Sequence, residues 1–152
     1  MNIALILSGG TGTRLGAELP KQYIEVNGRP IISYCLETVL CYPEIDGVQI
    51  VADSAWQQFL LQEVEKLKGK EKFRGFSAPG ATRQLSILSG LEDVLSYASS
   101  EDVVMIHDAA RPCLSKALVS ECLAKLSGHD GVLPVLPMKD TVYLSEDGKK
   151  VS

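Results

Sequence analysis

The sequence has no excess of positive charge. Its 15 lysines and arginines are outnumbered by 19 aspartates and glutamates, which leaves a formal net charge of −4 over 152 residues. Proteins that bind nucleic acids in general carry a basic excess. The charge balance therefore argues against a nucleic-acid partner.

A long hydrophobic run is also missing. No stretch approaches the roughly 20 apolar residues that a membrane-spanning helix requires. The first apolar run, Ile3–Leu7, is too short for the core of a signal peptide, and no basic leader precedes it. We therefore expect a cytoplasmic protein that does not contact a membrane.

Cysteine is sparse and unpatterned. The four cysteines form no C-x-x-C pair, which argues against a zinc site or a disulfide framework. Two of them, Cys35 and Cys122, fall within apolar helical stripes. We expect the cysteines to be buried, reduced thiols.

Short apolar runs alternate with amphipathic segments along the chain. The runs predict strands at Ile3–Leu7, Val48–Ala52, Val103–Ile106 and Gly131–Val135. Strands that alternate with helices indicate an α/β fold, in which an open, mainly parallel, Rossmann-like sheet carries helices on both faces. We find no repeat or linker, so residues 1–152 are expected to form a single domain.

Four segments have the periodicity of amphipathic helices, and we expect each apolar stripe to pack in the core. The helices are predicted at Ile31–Leu40, Ser54–Leu67, Gln84–Leu95 and Ala117–Leu126. The predicted stripes are Ile32, Cys35, Leu36, Val39 and Leu40; Phe59, Leu60, Val64 and Leu67; Leu85, Leu88, Leu91 and Leu95; and Leu118, Cys122 and Leu126. Ser54 with Gln57 has the spacing of a capping box, and Ser115 is a candidate cap.

The last segment, residues 141–152, has the pattern of a β-hairpin with Asp147-Gly148 at its turn. The second strand stops almost as soon as it begins. This suggests a chain that is cut short.

Polar loops follow the predicted strands, at the edge of a parallel sheet where ligands bind. The first loop contains Ser8, Gly9, Gly10 and Gly12, and Arg14 and Lys21 come after it. Glycines let backbone N–H groups approach an anion, and the two cations favour a phosphate ligand over a simple glycine-rich turn. The spacing matches neither a Walker P-loop nor a Rossmann dinucleotide fingerprint.

Asp108 follows the strand Val103–Ile106 and has two open interpretations. Its carboxylate could hold Mg²⁺ against phosphate oxygens, or it could cap a helix or turn. His107 should point to the opposite side of the chain, so we interpret it as a structural histidine.

Two further loops are candidates to line the same crevice. The loop Pro79–Ser86 contains Gly80, Arg83 and Ser86 and could hold an anion or a base, although Thr82 could simply cap the next helix. The loop Pro137–Thr141 contains Asp140 and Thr141.

Three ordered motifs together resemble the 2-C-methyl-D-erythritol 4-phosphate cytidylyltransferase family, including the related ribitol-5-phosphate cytidylyltransferases. They are Leu7-Ser8-Gly9-Gly10-Thr11-Gly12-Thr13-Arg14 with Pro20-Lys21-Gln22-Tyr23, then Gly80-x-x-Arg83-x-x-Ser86, then His107-Asp108-Ala109-Ala110-Arg111-Pro112. The resemblance implies a nucleotide-binding domain of the nucleotidyltransferase type that ends in a partial β-hairpin arm.

The resemblance also implies roles for individual residues. Arg14 and Lys21 would be catalytic, Asp108 would bind Mg²⁺, and Asp140 and Thr141 would bind the sugar phosphate across a homodimer. The nucleotide-binding residues would be Ser8, Gly9, Gly10, Gly12, Gly80, Arg83, Ser86 and Ala109.

The activity implied by the resemblance is transfer of CMP from CTP to 2-C-methyl-D-erythritol 4-phosphate, with release of pyrophosphate, in isoprenoid precursor synthesis. The alternatives are a D-ribitol-5-phosphate cytidylyltransferase that makes CDP-ribitol, a non-catalytic nucleotide-binding or dimerisation module, and a nicotinamide-dependent oxidoreductase suggested only by the glycine loop.

The chain departs from the family pattern in two respects. Family members continue past this length with further strands, the rest of the arm, a second Mg²⁺-binding aspartate and another catalytic lysine. In addition, Pro79-Gly80-Ala81 stands where relatives often carry paired glycines and an acidic residue.

Overall fold

The structure is a computed structural model that describes residues 1–10 and 19–145. The chain divides into two compact units, Met1–Leu118 and Val119–Ser152. The strands are β1 (Asn2–Leu7), β2 (Glu25–Val26), β3 (Arg29–Pro30), β4 (Gly47–Val51), β5 (Phe73–Ser77) and β6 (Val103–Asp108). The helices are α1 (Ile31–Leu40), α2 (Ser54–Glu65), α3 (Arg83–Val94) and α4 (Lys116–Lys125), with short 3-10 helices at Lys21–Tyr23 and Lys70–Lys72.

The first unit is built on a four-stranded parallel sheet in the order β5-β4-β1-β6. Consecutive residues of β1, from Ile3 to Ile6, are fully buried. Because neighbouring side chains of a strand point to opposite faces, both faces of the sheet are covered. The predicted α/β fold with a parallel sheet is confirmed.

β5 is a strand that the apolar pattern did not predict. It lies at the edge of the described sheet, and a register shift between Val48 and Gln49 marks a bulge where β5 pairs with β4. Gly75 adopts a φ of +139° there, a conformation that favours glycine. The bulge and the polar Arg74 break the alternation of apolar residues that a sequence search relies on.

A small antiparallel hairpin, β2 with β3, was also not predicted. Its turn is formed by Asn27 and Gly28, both with positive φ. Asn-Gly is the preferred pair for a two-residue hairpin turn, so the signal was present in the sequence.

Two strand predictions near the end of the chain have different outcomes. The predicted strand at Gly131–Val135 is wrong, since residues 131–139 have no regular secondary structure and Leu133 and Val135 are largely exposed. In the predicted hairpin at 141–152, residues 141–145 form no strand, and residues 146–152 lie outside the described residues.

The predicted apolar stripe of α1 is confirmed, because all five of its residues are buried. In α2, Leu60 and Val64 are buried as predicted. The cap of α2 is corrected from Ser54 to Asp53, whose Oδ1 accepts a hydrogen bond from the N–H of Ala55 at 2.9 Å.

The leucine stripe predicted to bury α3 is wrong. Leu85, Leu88 and Leu95 are about half exposed or more, whereas the buried residues of α3 are Ser86, Gly90 and Val94. A Cβ placed on Gly90 would lie 2.6 Å from a methyl carbon of Leu5. Gly90 therefore brings α3 so close to the sheet that its small-residue face is the buried one.

The stripe predicted for α4 is also corrected. Val119 is its buried residue, Leu118 is exposed, and Cys122 is only partly buried. The predicted cap of α4 is confirmed, since Ser115 Oγ accepts a hydrogen bond from the N–H of Leu118.

All four cysteines are free thiols. Cys35 is fully buried, and burial raises the pKa of its thiol to about 12, so this sulfur is held protonated. The expectation of uniformly buried thiols is wrong for Cys113, which is exposed.

None of the helices in the described part of the chain is both long and apolar enough to cross a membrane.

Candidate functional site

The carboxyl ends of the four parallel strands form one row. Leu7 of β1 is in register with Val51 of β4 and with Asp108 of β6. Val51 is in turn in register with Ser77 of β5. The loops after β1, β5 and β6 therefore start from the same edge of the sheet, where the sequence predicted a ligand site.

The loop after β1 is held in place by the 3-10 helix Lys21–Tyr23. The side-chain amide of Gln22 donates one hydrogen bond to the carbonyl oxygen of Ser8 and another to that of Gly10, each at 2.8 Å. The hydroxyl of Tyr23 donates to the same Ser8 carbonyl at 3.1 Å and lies 2.8 Å from Ser8 Oγ. The Ser8 N–H donates to the carbonyl of Val51, which fixes where the loop begins.

Tyr23 is anchored by two aromatic side chains of α2. Its ring centroid lies 4.4 Å from that of Trp56 and 5.7 Å from that of Phe59. Burial raises the pKa of the Tyr23 phenol, so the hydroxyl stays protonated and able to donate. The aromatic cluster therefore fixes the 3-10 helix that holds the glycine loop.

The glycine loop touches the loop after β5. A Cβ added to Gly9 would lie 2.4 Å from Cβ of Pro79, so only glycine permits this approach. In the second loop, the N–H of Gly80 donates to Ser86 Oγ at 3.0 Å. A Cβ on Gly80 would collide with Leu85 at 2.4 Å.

Asp108 joins the loop after β6 to the start of α3. Its Oδ1 accepts hydrogen bonds from Nε and Nη2 of Arg83 at 3.2 and 3.1 Å, and its Oδ2 accepts one from Nε of Arg111 at 3.0 Å. Burial would raise the pKa of Asp108, but the hydrogen bonds and charges of the two arginines outweigh it and hold that pKa below its ordinary value. The carboxylate is therefore ionised at neutral pH.

His107 makes a hydrogen bond to the loop that follows its own strand, which is typical of a structural histidine. Its Nε2 lies 3.0 Å from the carbonyl oxygen of Arg111. Because a carbonyl only accepts, Nε2 carries the proton. The alternative role proposed for Thr82 is also present, since its Oγ1 accepts from the N–H of Leu85 and caps α3.

Asp108 has the donor chemistry that Mg²⁺ prefers, a carboxylate at the rim of a phosphate-type loop. Within residues 1–10 and 19–145, no group of three or more His, Cys, Asp or Glu side chains could hold a metal ion.

The other candidate residues are distributed as follows. Lys21 is exposed at the first position of the 3-10 helix, and Ala109 is buried, with its N–H donating to the carbonyl of Leu7. Asp140 and Thr141 are exposed in the second unit. Gly12 and Arg14 lie outside the described residues.

We predicted no role from the sequence for three residues of this edge: Gln22, Tyr23 and Arg111. All three lie in the motifs named above, within three residues of Lys21 or Asp108. Their roles depend on hydrogen bonds formed only after the chain folds back on itself.

A polar cavity of about 370 Å³ lies elsewhere, between the β2–β3 hairpin, α1 and α2. Within its lining, Ser33 and Lys66 both contact Glu63, and Arg29 contacts Glu37. None of the candidate residues that the structure describes lines it.

The family model of IspD, 2-C-methyl-D-erythritol 4-phosphate cytidylyltransferase, matches residues 2–152. The chain belongs to this family. The match runs through the glycine loop, the start of α3 and the loop after β6, whose contacts form the site described above.

Individual relatives agree with this membership. A 2-C-methyl-D-erythritol 4-phosphate cytidylyltransferase from Geobacter metallireducens is 37% identical over 145 residues, covering 95% of this chain and 62% of the relative. A ribitol-5-phosphate cytidylyltransferase from Lacticaseibacillus paracasei is 30% identical over 149 residues, covering 98% of this chain and 63% of the relative.

A solved structure shows the same fold. The crystal structure of 4-diphosphocytidyl-2C-methyl-D-erythritol synthase from Anaerococcus prevotii superposes with a TM-score of 0.79 at 28% identity, covering 99% of this chain and 61% of that protein. This chain thus spans a little over three fifths of the length of the relatives it matches.

Proposed function

We propose that this chain is the nucleotide-binding part of a cytidylyltransferase that transfers CMP from CTP to 2-C-methyl-D-erythritol 4-phosphate and releases pyrophosphate. The observation that carries the proposal is the convergence of the family's motifs at one edge of the sheet. Gly9 packs on Pro79, and Arg83 pairs with Asp108. Loops distant in sequence thus form one surface.

The reaction suits a site without a histidine base. A phosphate monoester has a second pKa of about 6, so at neutral pH it is already an anionic nucleophile. Catalysis then requires that two polyanions be aligned and that the charge of the in-line displacement be neutralised. Lys21 and Arg14 are proposed for that role, because each places a cation next to the glycine loop in sequence.

The nucleotide is proposed to lie across the joined loops. The backbone of Ser8, Gly9, Gly10 and Gly12 would bind the triphosphate, and Gly80, Ser86 and Arg83 would contact the cytosine side, with Ala109 near the ribose. The Gly80–Ser86 hydrogen bond supports this placement, since it gives the loop after β5 a fixed shape.

Asp108 is proposed to hold Mg²⁺. When bound, the ion would neutralise part of the triphosphate charge. Arg83 and Arg111 keep the carboxylate ionised, and each guanidinium carries further donors that could bind phosphate oxygens. The side chain of Arg111 is well exposed, so the donors it does not use on Asp108 are accessible to a ligand.

The acceptor is proposed to bind through Asp140 and Thr141, with a second copy of the protein completing the site. Large apolar side chains exposed in the second unit support such a homodimer; they are Leu133, Leu136 and Tyr143. We also propose a cytoplasmic location, in keeping with four free thiols.

D-Ribitol 5-phosphate is the second candidate acceptor. The ribitol-5-phosphate cytidylyltransferases of Streptococcus agalactiae match all of this chain at 33% identity, so the likeness extends to both named activities. The two acceptors share a terminal phosphate, and the same charge chemistry would serve either.

The test is pyrophosphate release from CTP with each acceptor, measured on the 152-residue chain and on the product of the complete open reading frame that contains it. Faster release with methylerythritol phosphate than with ribitol phosphate is expected. The reverse preference would select the ribitol activity. Nucleotide binding without release from either protein would favour the non-catalytic module.

A further inference from the structure

Gln22 uses its whole donor capacity on the glycine loop. A glutamine amide has two N–H hydrogens, and those of Gln22 go to the carbonyls of Ser8 and Gly10. The residue is only 3% exposed. A buried amide with both donors committed to backbone carbonyls two residues apart fixes the course of that backbone.

The direction of these carbonyls determines where the neighbouring N–H groups point. In a trans peptide the C=O of one residue and the N–H of the next point in opposite directions. Because Gln22 draws the Ser8 carbonyl toward itself, the N–H of Gly9 points away from Gln22. No acceptor within residues 1–10 or 19–145 receives the N–H of Gly9, so none of these residues competes with an anion for it.

The 3-10 helix that carries Gln22 also carries the cation Lys21. Lys21 directly precedes Gln22 in the 3-10 helix, and Tyr23 on the other side is packed on Trp56. The short helix is therefore fixed to α2 at one end and presents Lys21 to solvent at the other. Gln22 therefore determines where the N–H of Gly9 lies relative to Lys21.

We propose that Gln22 is a positioning residue, which orients the Ser8–Gly10 backbone so that the N–H of Gly9 faces the triphosphate of the bound nucleotide. This inference rests on the proposed function. The proposed role requires two N–H donors on one side chain. Methionine, which has a similar shape, has no donor, and ionised glutamate has none either.

The test compares Gln22→Met and Gln22→Glu with the wild-type chain. Binding of CTP and of cytidine, which lacks phosphates, is measured by NMR titration, and the melting temperature is recorded for each variant. Gln57→Met is the matched control, since its amide also donates to a backbone carbonyl, that of Ala52, outside the loop.

We expect both Gln22 variants to weaken CTP binding by about tenfold or more, as the loss of two hydrogen bonds implies. Cytidine binding should change little, and Gln57→Met should affect neither ligand. Equal losses for CTP and cytidine would indicate a merely structural role and would overturn the inference, as would unchanged CTP binding. A wild-type chain that binds no CTP would instead contradict the proposed function, and the inference with it.

Discussion

Lys21 directly precedes Gln22, whose side-chain amide binds the glycine loop. Its ammonium is exposed, and within the described residues no carboxylate pairs with it. Lys21→Ala should therefore leave the melting temperature nearly unchanged. It should lower the rate of pyrophosphate release by about 100-fold, the order of effect of removing a preorganised charge-stabilising donor.

The matched control for this prediction is Lys68→Ala, which removes an exposed lysine from a loop away from the site. The control should retain full turnover. Near-normal turnover of Lys21→Ala, measured on the product of the complete reading frame, would remove Lys21 from the mechanism.

The ion pairs of Asp108 give a pH-dependent stability. Since the folded-state pKa of Asp108 is lowered, its stabilisation is fully present above the unfolded pKa near 4 and is lost as pH falls through the lower folded value. The side chain is 31% exposed, so the effect is modest. Asp108→Asn should cost about 1 kcal/mol or less at pH 7 and less than that at about pH 3.

Urea unfolding at the two pH values measures this difference. Asp130→Asn serves as the control, because Asp130 lies exposed in a loop, and it should show no such change. A cost of Asp108→Asn that is the same at both pH values would contradict the assignment of the stabilisation to the ion pairs.

At the residue scale, the sequence predicted the groups whose chemistry is visible in their type. A carboxylate after a strand and a lysine after a glycine loop stand out, and Asp108 lies at the predicted edge. The part played by Gln22 could not be read in this way. An amide side chain has many possible partners, and its bonds to Ser8 and Gly10 exist only once residues 21–23 fold back against the loop.

At the element scale, α3 shows how close packing overrides apolar periodicity. Leu88 is half exposed, whereas Gly90 faces Leu5 and Val51 with no room for a side chain. Gly90→Val should reduce the free energy of unfolding by about 2–3 kcal/mol through overpacking. Leu88→Gln should change it by less than about 0.5 kcal/mol.

Chemical denaturation of the two variants checks this pair of predictions. If the leucine face were the buried one, the order would be reversed, with Leu88→Gln the more damaging. That result would contradict the orientation of α3.

The elements that the sequence predicted well are those whose pattern has one interpretation. The α1 stripe is buried throughout, and β1 and β4 are mostly apolar, buried strands at the centre of the sheet. β5 is an edge strand with a bulge, and its pattern is broken for that reason. For α3, the periodic leucines and the small residues offered two faces, and only the packed structure distinguishes them.

At the scale of the whole molecule, we propose that the loops after β1, β5 and β6 form a nucleotide site specific for CTP. The fold class and the edge of the sheet that carries the site followed from alternating strands and helices. The identity of the acceptor could not be predicted in this way. Asp140 and Thr141 lie in a separate unit, and the chain spans only part of its relatives' length.

The most direct test is a thermal-shift series on the 152-residue chain with CTP, UTP, ATP, GTP and NAD, each with and without Mg²⁺. A ligand at 100 times its Kd stabilises the folded state by about 2.7 kcal/mol, which for a domain of this size raises Tm by roughly 5–10 °C. We expect the largest rise in Tm with CTP and a further rise when Mg²⁺ is added. A shift with NAD alone, or no shift with any nucleotide, would contradict the proposed CTP site.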